Sequence, residues 1–175
     1  ANLDYNDPAY YMKRQAIAAA LGLVAMIFVS FIPTEIFSKF SLAYYIIGAV
    51  GLFLLLTPLG VEVNGATRWL KTGIGFNLQP AEIAKLCMIL FLANVICKMG
   101  KSLKTWKGFG IALLFPLPMC ALVYFISNNL SSAIIIFAIA YLMIFVASPD
   151  YKKVALVTGG GIAVVAIIVL CIYFF

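Results

Sequence analysis

No histidine occurs among the 175 residues. That removes the side chain that most often moves protons near neutral pH, and the commonest protein ligand of zinc, from any mechanism. Cysteine does not stand in for it. Cys87, Cys97, Cys120 and Cys171 all fall in apolar runs without a CxxC pair, a placement that fits small buried hydrophobes better than a disulfide framework or a metal site. Charge is sparse as well: charged residues make up 10% of the chain, against roughly a quarter in a soluble domain. The first residues, ANLDYNDPAYYMKRQ, are polar and aromatic and do not read as a secretory leader. There is no low-complexity segment.

What is present is apolar. The chain is 65% hydrophobic with a mean hydropathy of +1.12, which no single aqueous core accommodates and which calls for lipid as solvent. The fold class expected is an all-α polytopic membrane protein, a single integral-membrane domain over 1–175. Six candidate spans run approximately 16–33, 42–61, 81–97, 108–126, 130–147 and 154–175, each near the roughly 20 residues that a hydrocarbon core requires. Pro116 and Pro118 predict a kink or irregularity in the fourth. Gly159, Gly160 and Gly161 predict close packing or a flexible entry at the sixth.

Six alternating spans sort the loops into two sets. Residues 1–15, 62–80 and 127–129 carry Lys13, Arg14, Arg68 and Lys71; residues 34–41, 98–107 and 148–153 carry Lys39, Lys98, Lys101, Lys104, Lys107, Lys152 and Lys153. Seven cations against four mark the second set as cytoplasmic, so both ends of the chain are expected outside. An outer N-terminus without a leader, and an end at CIYFF inside apolar sequence, predict a fragment of a longer protein. The net charge of +6 then suits anionic lipid or a phosphate-bearing lipid substrate better than nucleic acid.

The stretch NGATRWLKTGIGFNLQPAEIAKL, residues 64–86, departs from this pattern. Gln79-Pro80 is a helix start, because proline at the first helical position gives up no needed hydrogen bond. Glu82 in the first turn favours the positive end of that helix. Arg68 and Trp69 suit an interfacial anchor. Lys85 is harder to place: it opposes the helix dipole, lies a turn inside the membrane edge, and shares a face with Glu82 three residues earlier. Intramembrane charges face a cavity or a partner. Two readings stay open for the pair, a functional site and helix-start chemistry with Lys85 snorkelling to the headgroups. The segment TRWLKTGIGFNL predicts an outer loop that lies in the interface or dips over a cavity. Arg68, Lys71 and Arg14 would supply cations there, arginine being suited to a bidentate grip on phosphate. The turn SNNLSSA is a second polar notch on the same side, and also reads as ordinary helix capping.

These residues resemble the SEDS family, the FtsW, RodA and SpoVE proteins of bacteria. The family pattern G-A-x-R-W, a short variable run and Q-P-[SA]-E-x-x-K is matched by Gly65, Ala66, Arg68, Trp69, Gln79, Pro80, Glu82 and Lys85. NDPAYYMKRQ resembles the segment between that family's first two spans, and NNLSSAIII falls at its polar turn. The form of the turn, Asn128 to Ser132, looks more like the division and sporulation branch than the elongation branch.

The resemblance implies a peptidoglycan glycosyltransferase. Such a protein polymerises lipid II, an undecaprenyl-pyrophosphate-linked disaccharide-peptide, outside the bacterial cytoplasmic membrane in cell division or cell-shape control. It also implies a class B penicillin-binding protein as partner, with other divisome or elongasome membrane proteins, and a ten-span plan of which this chain holds spans two to seven. The aspartate proposed for catalysis lies in a large outer loop after the seventh span, so the chain alone is expected to be inactive. Asp150 falls on the cytoplasmic side, and Asp4 and Asp7 in the wrong loop. The substrate-binding candidates are Arg68, Glu82, Lys85, Lys71, Arg14 and Gln79. A divalent cation, Mg or Mn, is an open expectation that one carboxylate supports thinly. A lipid II flippase and a non-catalytic scaffold of the division complex are the rival readings.

Overall fold

The computed structural model describes residues 8–63, 65–71, 77–148 and 155–161, excepting the side chains of 8–11, 14 and 63. The chain divides into two compact units, residues 1–39 and 40–175. In the first, α1 (Pro8–Ser30) and α2 (Thr34–Lys39) follow one another. Pro8 takes the first helical position, where its missing N–H is not needed, so α1 begins ahead of the predicted span at 16 and includes the polar turn Lys13-Arg14-Gln15. It closes at Ser30, whose hydroxyl donates to the Ile27 carbonyl at 2.7 Å, before Pro33 ends any continuation.

The second unit runs α3 (Ser41–Phe53), a 3-10 turn at Leu54–Leu56, β1 (Gly60–Val63), β2 (Ala66–Lys71), β3 (Asn77–Leu78), α4 (Pro80–Met99), a 3-10 turn at Gly100–Lys104, α5 (Trp106–Leu114), α6 (Pro116–Ser127) and α7 (Leu130–Ala147). Among the described residues, three helical segments are long and apolar enough to cross a membrane: Pro80–Lys104, Trp106–Ser127 and Leu130–Ala147. Gln15–Ser30 and Ser41–Leu56 are apolar but shorter.

The second predicted span, 42–61, is corrected. Its helix stops at Leu56, and the remainder is a turn and the first residues of β1. The Thr57 hydroxyl donates to the Leu54 carbonyl at 2.6 Å, and Pro58 follows. Gly60 then begins the strand so close to the helix end that a Cβ there would collide with the Leu55 carbonyl oxygen. Of the sixth predicted span, residues 155–161 are helical, and the rest lies outside the described residues.

Helices in lipid gain little from burial alone, so close packing and internal polar bonds hold them together. Gly48 on α3 illustrates the first: a Cβ there would meet Cys87 Cβ at 3.1 Å and Met119 Cε at 3.2 Å, so its absence brings α3 against α4 and α6. Met88, Leu92, Met119, Val123 and Ile136 fill the space between helices at no more than 1% exposure. Two polar bonds add specificity. The Asn94 side-chain amide donates to the Ser41 hydroxyl, locking α3 to α4 in a buried setting. The Tyr45 hydroxyl donates to the Phe115 carbonyl at 3.3 Å, at the point where α5 gives way to α6. Pro116 and Pro118 remove the N–H groups that the Ala112 and Leu114 carbonyls would receive in a continuous helix, which accounts for the expected irregularity. Tyr45 and Phe115 also flank the Phe91 ring, at 4.6 and 5.7 Å between centroids. Among the described cysteines, Cys87, Cys97 and Cys120 are free thiols.

Candidate functional site: the sheet-bearing end of the bundle

The segment TRWLKTGIGFNL, expected to be an interfacial loop, supplies most of β2 and all of β3 to a three-stranded antiparallel sheet of order β1-β2-β3. Val63 and Ala66 are paired across the hairpin, and Gly65 ahead of Ala66 takes φ 75°. Glycine tolerates the left-handed backbone of the tight turns that match strand twist. β2 lies against α4 and α6, so the sheet covers one end of the second unit.

The hairpin is not regular. Val61 pairs with Trp69, and Glu62 with Thr67, so Arg68 is the extra residue of a bulge in β2. Bulges re-aim side chains, and here the Arg68 Nη2 donates to the Asn128 carbonyl at 3.0 Å. Asn128 ends α6 in the left-handed conformation, φ 46° and ψ 41°. Asn129 starts α7, its Oδ1 accepting from the Ser132 N–H at 3.1 Å. The two loop regions assigned to one side by alternation of spans are thus in direct contact through Arg68.

On α4, Pro80 occupies the first helical position after Gln79, as the sequence implied. The Gln79 carbonyl accepts the Glu82 N–H at 3.0 Å, while its side chain makes no capping bond. Lys85 Nζ donates to Glu82 Oε1 at 2.7 Å, with the Lys85 side chain 17% exposed and that of Glu82 58%. The Lys85 side chain is therefore mostly covered along its length, while the bond itself lies at an exposed position beside the open Glu82. In water such a pair is worth up to about 1 kcal/mol; its interest lies in where it fixes a cation. Lys71, at the end of β2, is exposed, and its backbone N–H donates to the Leu59 carbonyl at 2.9 Å. Arg14 belongs to α1 in the first unit, and its side chain lies outside the described residues.

A divalent cation finds little here. Among the described residues no group of three or more His, Cys, Asp or Glu side chains is placed to hold a metal, and Glu82 is engaged by Lys85. The other end of α4 is different again: Lys98, Lys101, Lys104 and Lys107 are exposed around the Gly100–Lys104 turn, about 30 Å away along a 20-residue helix.

Sequence reasoning missed the sheet and the role of Asn128. The hairpin had a signal in Asn64-Gly65 flanked by Val-Glu-Val and Ala-Thr-Arg-Trp. The Arg68–Asn128 bond joins positions 60 residues apart, and nothing local announces it.

Membrane-length helices, with paired and hydrogen-bonded charges at the end that carries a small sheet, define a polytopic membrane protein with a polar site at that end. The chain belongs to the FtsW/RodA/SpoVE family of cell cycle proteins, whose model matches residues 1–174. It is 33% identical over 175 residues to the probable peptidoglycan glycosyltransferase FtsW of Thioalkalivibrio sulfidiphilus, covering 96% of this chain and 42% of the relative. It is 30% identical over 169 residues to the protein of the same name from Saccharophagus degradans, covering 93% and 42%. Both names agree with the division branch that the Asn128–Ser132 turn suggested. The chain thus spans less than half the length of these curated relatives. Among solved structures, it resembles the rod shape determining protein RodA of Thermus thermophilus at TM-score 0.67 and 25% identity, over 92% of this chain and 52% of that one. A chain from a peptidoglycan synthase complex matches at TM-score 0.69 and 25% identity, over 91% and 46%.

Proposed function

We propose that the full-length protein is a peptidoglycan glycosyltransferase, and that the sheet-bearing end described here faces outward and receives the pyrophosphate of lipid II. The observation that carries this reading is the Lys85 ammonium held by Glu82 at 2.7 Å at the start of α4, in a chain of this family. Lysine offers three N–H donors. The bond to Glu82 takes one and leaves two for phosphate oxygens. Glu82 acts on the substrate through Lys85, holding the flexible side chain in one position before substrate arrives, so that no reorganisation is needed as charge builds on the leaving pyrophosphate. Since the pair is close to neutral as a whole, long-range attraction for an anionic headgroup falls to the exposed Lys71 and to Arg68.

The aspartate to which the family resemblance assigns the chemical step has no counterpart among residues 1–175. The residues named here bind and position. A class B penicillin-binding protein is the partner proposed for the full-length protein, in keeping with the synthase complex among the structural relatives. A flippase needs polar groups that serve both faces. Glu82–Lys85 and Arg68–Asn128 both lie at the sheet end, where a polymerase acting on one side needs its cations.

The test is glycan synthesis from purified lipid II by the full-length protein with its transpeptidase partner, comparing wild type with Glu82→Ala and Lys85→Ala. Loss of polymer with normal folding and partner binding is expected. Unchanged polymer would return the pair to helix-start chemistry.

A further inference from the structure

The Arg68 guanidinium, counted above among the cations available to the substrate, is already engaged. We propose that its main role is positioning: it pins the outer sheet to the corner between α6 and α7, and this pin sets where Lys71 and Lys85 stand. The inference rests on the proposed function for its consequence, but not for its geometry.

Three observations converge on it. The bulge in β2 places Arg68 out of the regular pairing between Val61–Trp69 and Glu62–Thr67, and the released side chain reaches 3.0 Å from the Asn128 carbonyl. That carbonyl belongs to the residue that ends α6, where helical carbonyls have lost their N–H partners and the dipole is negative. α6 has no basic residue in its own last turn, so Arg68 supplies from another element the cation that the helix end lacks. Finally, Asn128 takes the left-handed conformation, and the chain turns through Asn128-Asn129 straight into α7, whose first turn is fixed by the bond from the Ser132 N–H to Asn129 Oδ1. One guanidinium therefore joins β2 to the start of one membrane-length helix and the end of another. β2 leads through Lys71 and β3 to Gln79 and α4, so the same pin bears on the height of Glu82 and Lys85.

A phosphate ligand and a pin behave differently when substrate is absent. Amide hydrogen exchange on the full-length complex in nanodiscs, without lipid II, distinguishes them. In Arg68→Gln, the amides of β2 and of Ser132 are expected to exchange about tenfold faster, in line with the loss of a hydrogen bond from a charged donor. With lipid II, turnover should fall several-fold while KM moves less than twofold. Arg68→Lys, which keeps one charged donor, should recover most of the protection and of the turnover. It also keeps the test open should the glutamine variant fail to fold. Exchange that stays at the wild-type level in Arg68→Gln, with KM rising and turnover kept, would overturn the pin and return Arg68 to the substrate. Absence of glycan from the wild-type complex would instead count against the proposed function, and the exchange result would still decide the pin.

Discussion

The two ends of α4 carry similar chemistry in different states. At the start, Lys85 is held by Glu82 at 2.7 Å and mostly covered, and nearby Arg68 is bonded to a helix-end carbonyl. At the other end, Lys98, Lys101, Lys104 and Lys107 stand exposed around a 3-10 turn. Four lysines in a short loop tell a membrane which side to keep them on. Cations held at the sheet end have lost rotamer freedom, which protein structures give up where a geometry matters. Many exposed charges in a short loop are thus a signal of topology, and a charge on a mostly covered side chain a signal of a site.

The largest effect should separate the ends by activity. Lys85→Ala in the full-length protein is expected to reduce glycan polymerisation by about a hundredfold, the scale of removing one preorganised donor, whereas Lys101→Ala should change it less than twofold. Equal losses from both would erase the distinction. Next, each end has a glycine that a methyl group would disturb. At Gly60 a Cβ would strike the Leu55 carbonyl and approach Thr67 Cγ2 at 2.7 Å; at Gly108 it would strike the Ser102 carbonyl. Both Gly60→Ala and Gly108→Ala should lose about 1–3 kcal/mol of stability through overpacking, read by thermal unfolding in detergent. In surviving protein only Gly60→Ala should depress lipid II turnover, because only it moves the sheet.

Smaller effects concern the corners. Asn128→Val should cost about 1–2 kcal/mol, because a β-branched residue resists the left-handed backbone that asparagine tolerates. Thr105→Ala removes the cap at the lysine end, where the hydroxyl accepts the Gly108 N–H at 3.0 Å, and should cost about 1 kcal/mol. Comparing the turnover of these two variants at matched stability sharpens the contrast: a corner under Arg68 should matter to chemistry, and a corner under lysines should not.

Much of the helical plan was legible, for reasons that particular residues show. The fifth span, 130–147, coincides with α7, since Asn129 caps its start and Pro149 follows soon after its end. Gln79-Pro80 set the start of α4 within a residue. The overrun at 57–61 arose because the apolar run Leu54-Leu55-Leu56 continues through Leu59 and Val61 into a strand that is apolar too, and hydropathy is blind to backbone shape. Pro58 and Gly60 were the stop signals. Of the site, the Glu82–Lys85 pair followed from helical spacing alone, because three residues along a helix fix proximity. The bond from Arg68 to Asn128 depends on how β2 and α6 meet, which no local pattern encodes. Gly159 to Gly161 fall in the helical segment 155–161, while Asp4, Asp7, Asp150 and Cys171 lie outside the described residues.

The bond between Asn94 and Ser41 acts like a tooth in a rack. Sliding α3 along α4 by one turn, about 5.4 Å, would strand an amide and a hydroxyl in hydrocarbon, at roughly 0.6 to 2 kcal/mol for the lost interhelical bond. Intermediate offsets are no better, so the pair of helices meets in discrete steps with one step preferred. Lys85 lies nine residues before Asn94 on the same rod, about 14 Å along its axis. The position of the polar end's ammonium relative to α3 is therefore set from the opposite end of the rod, by two small uncharged side chains.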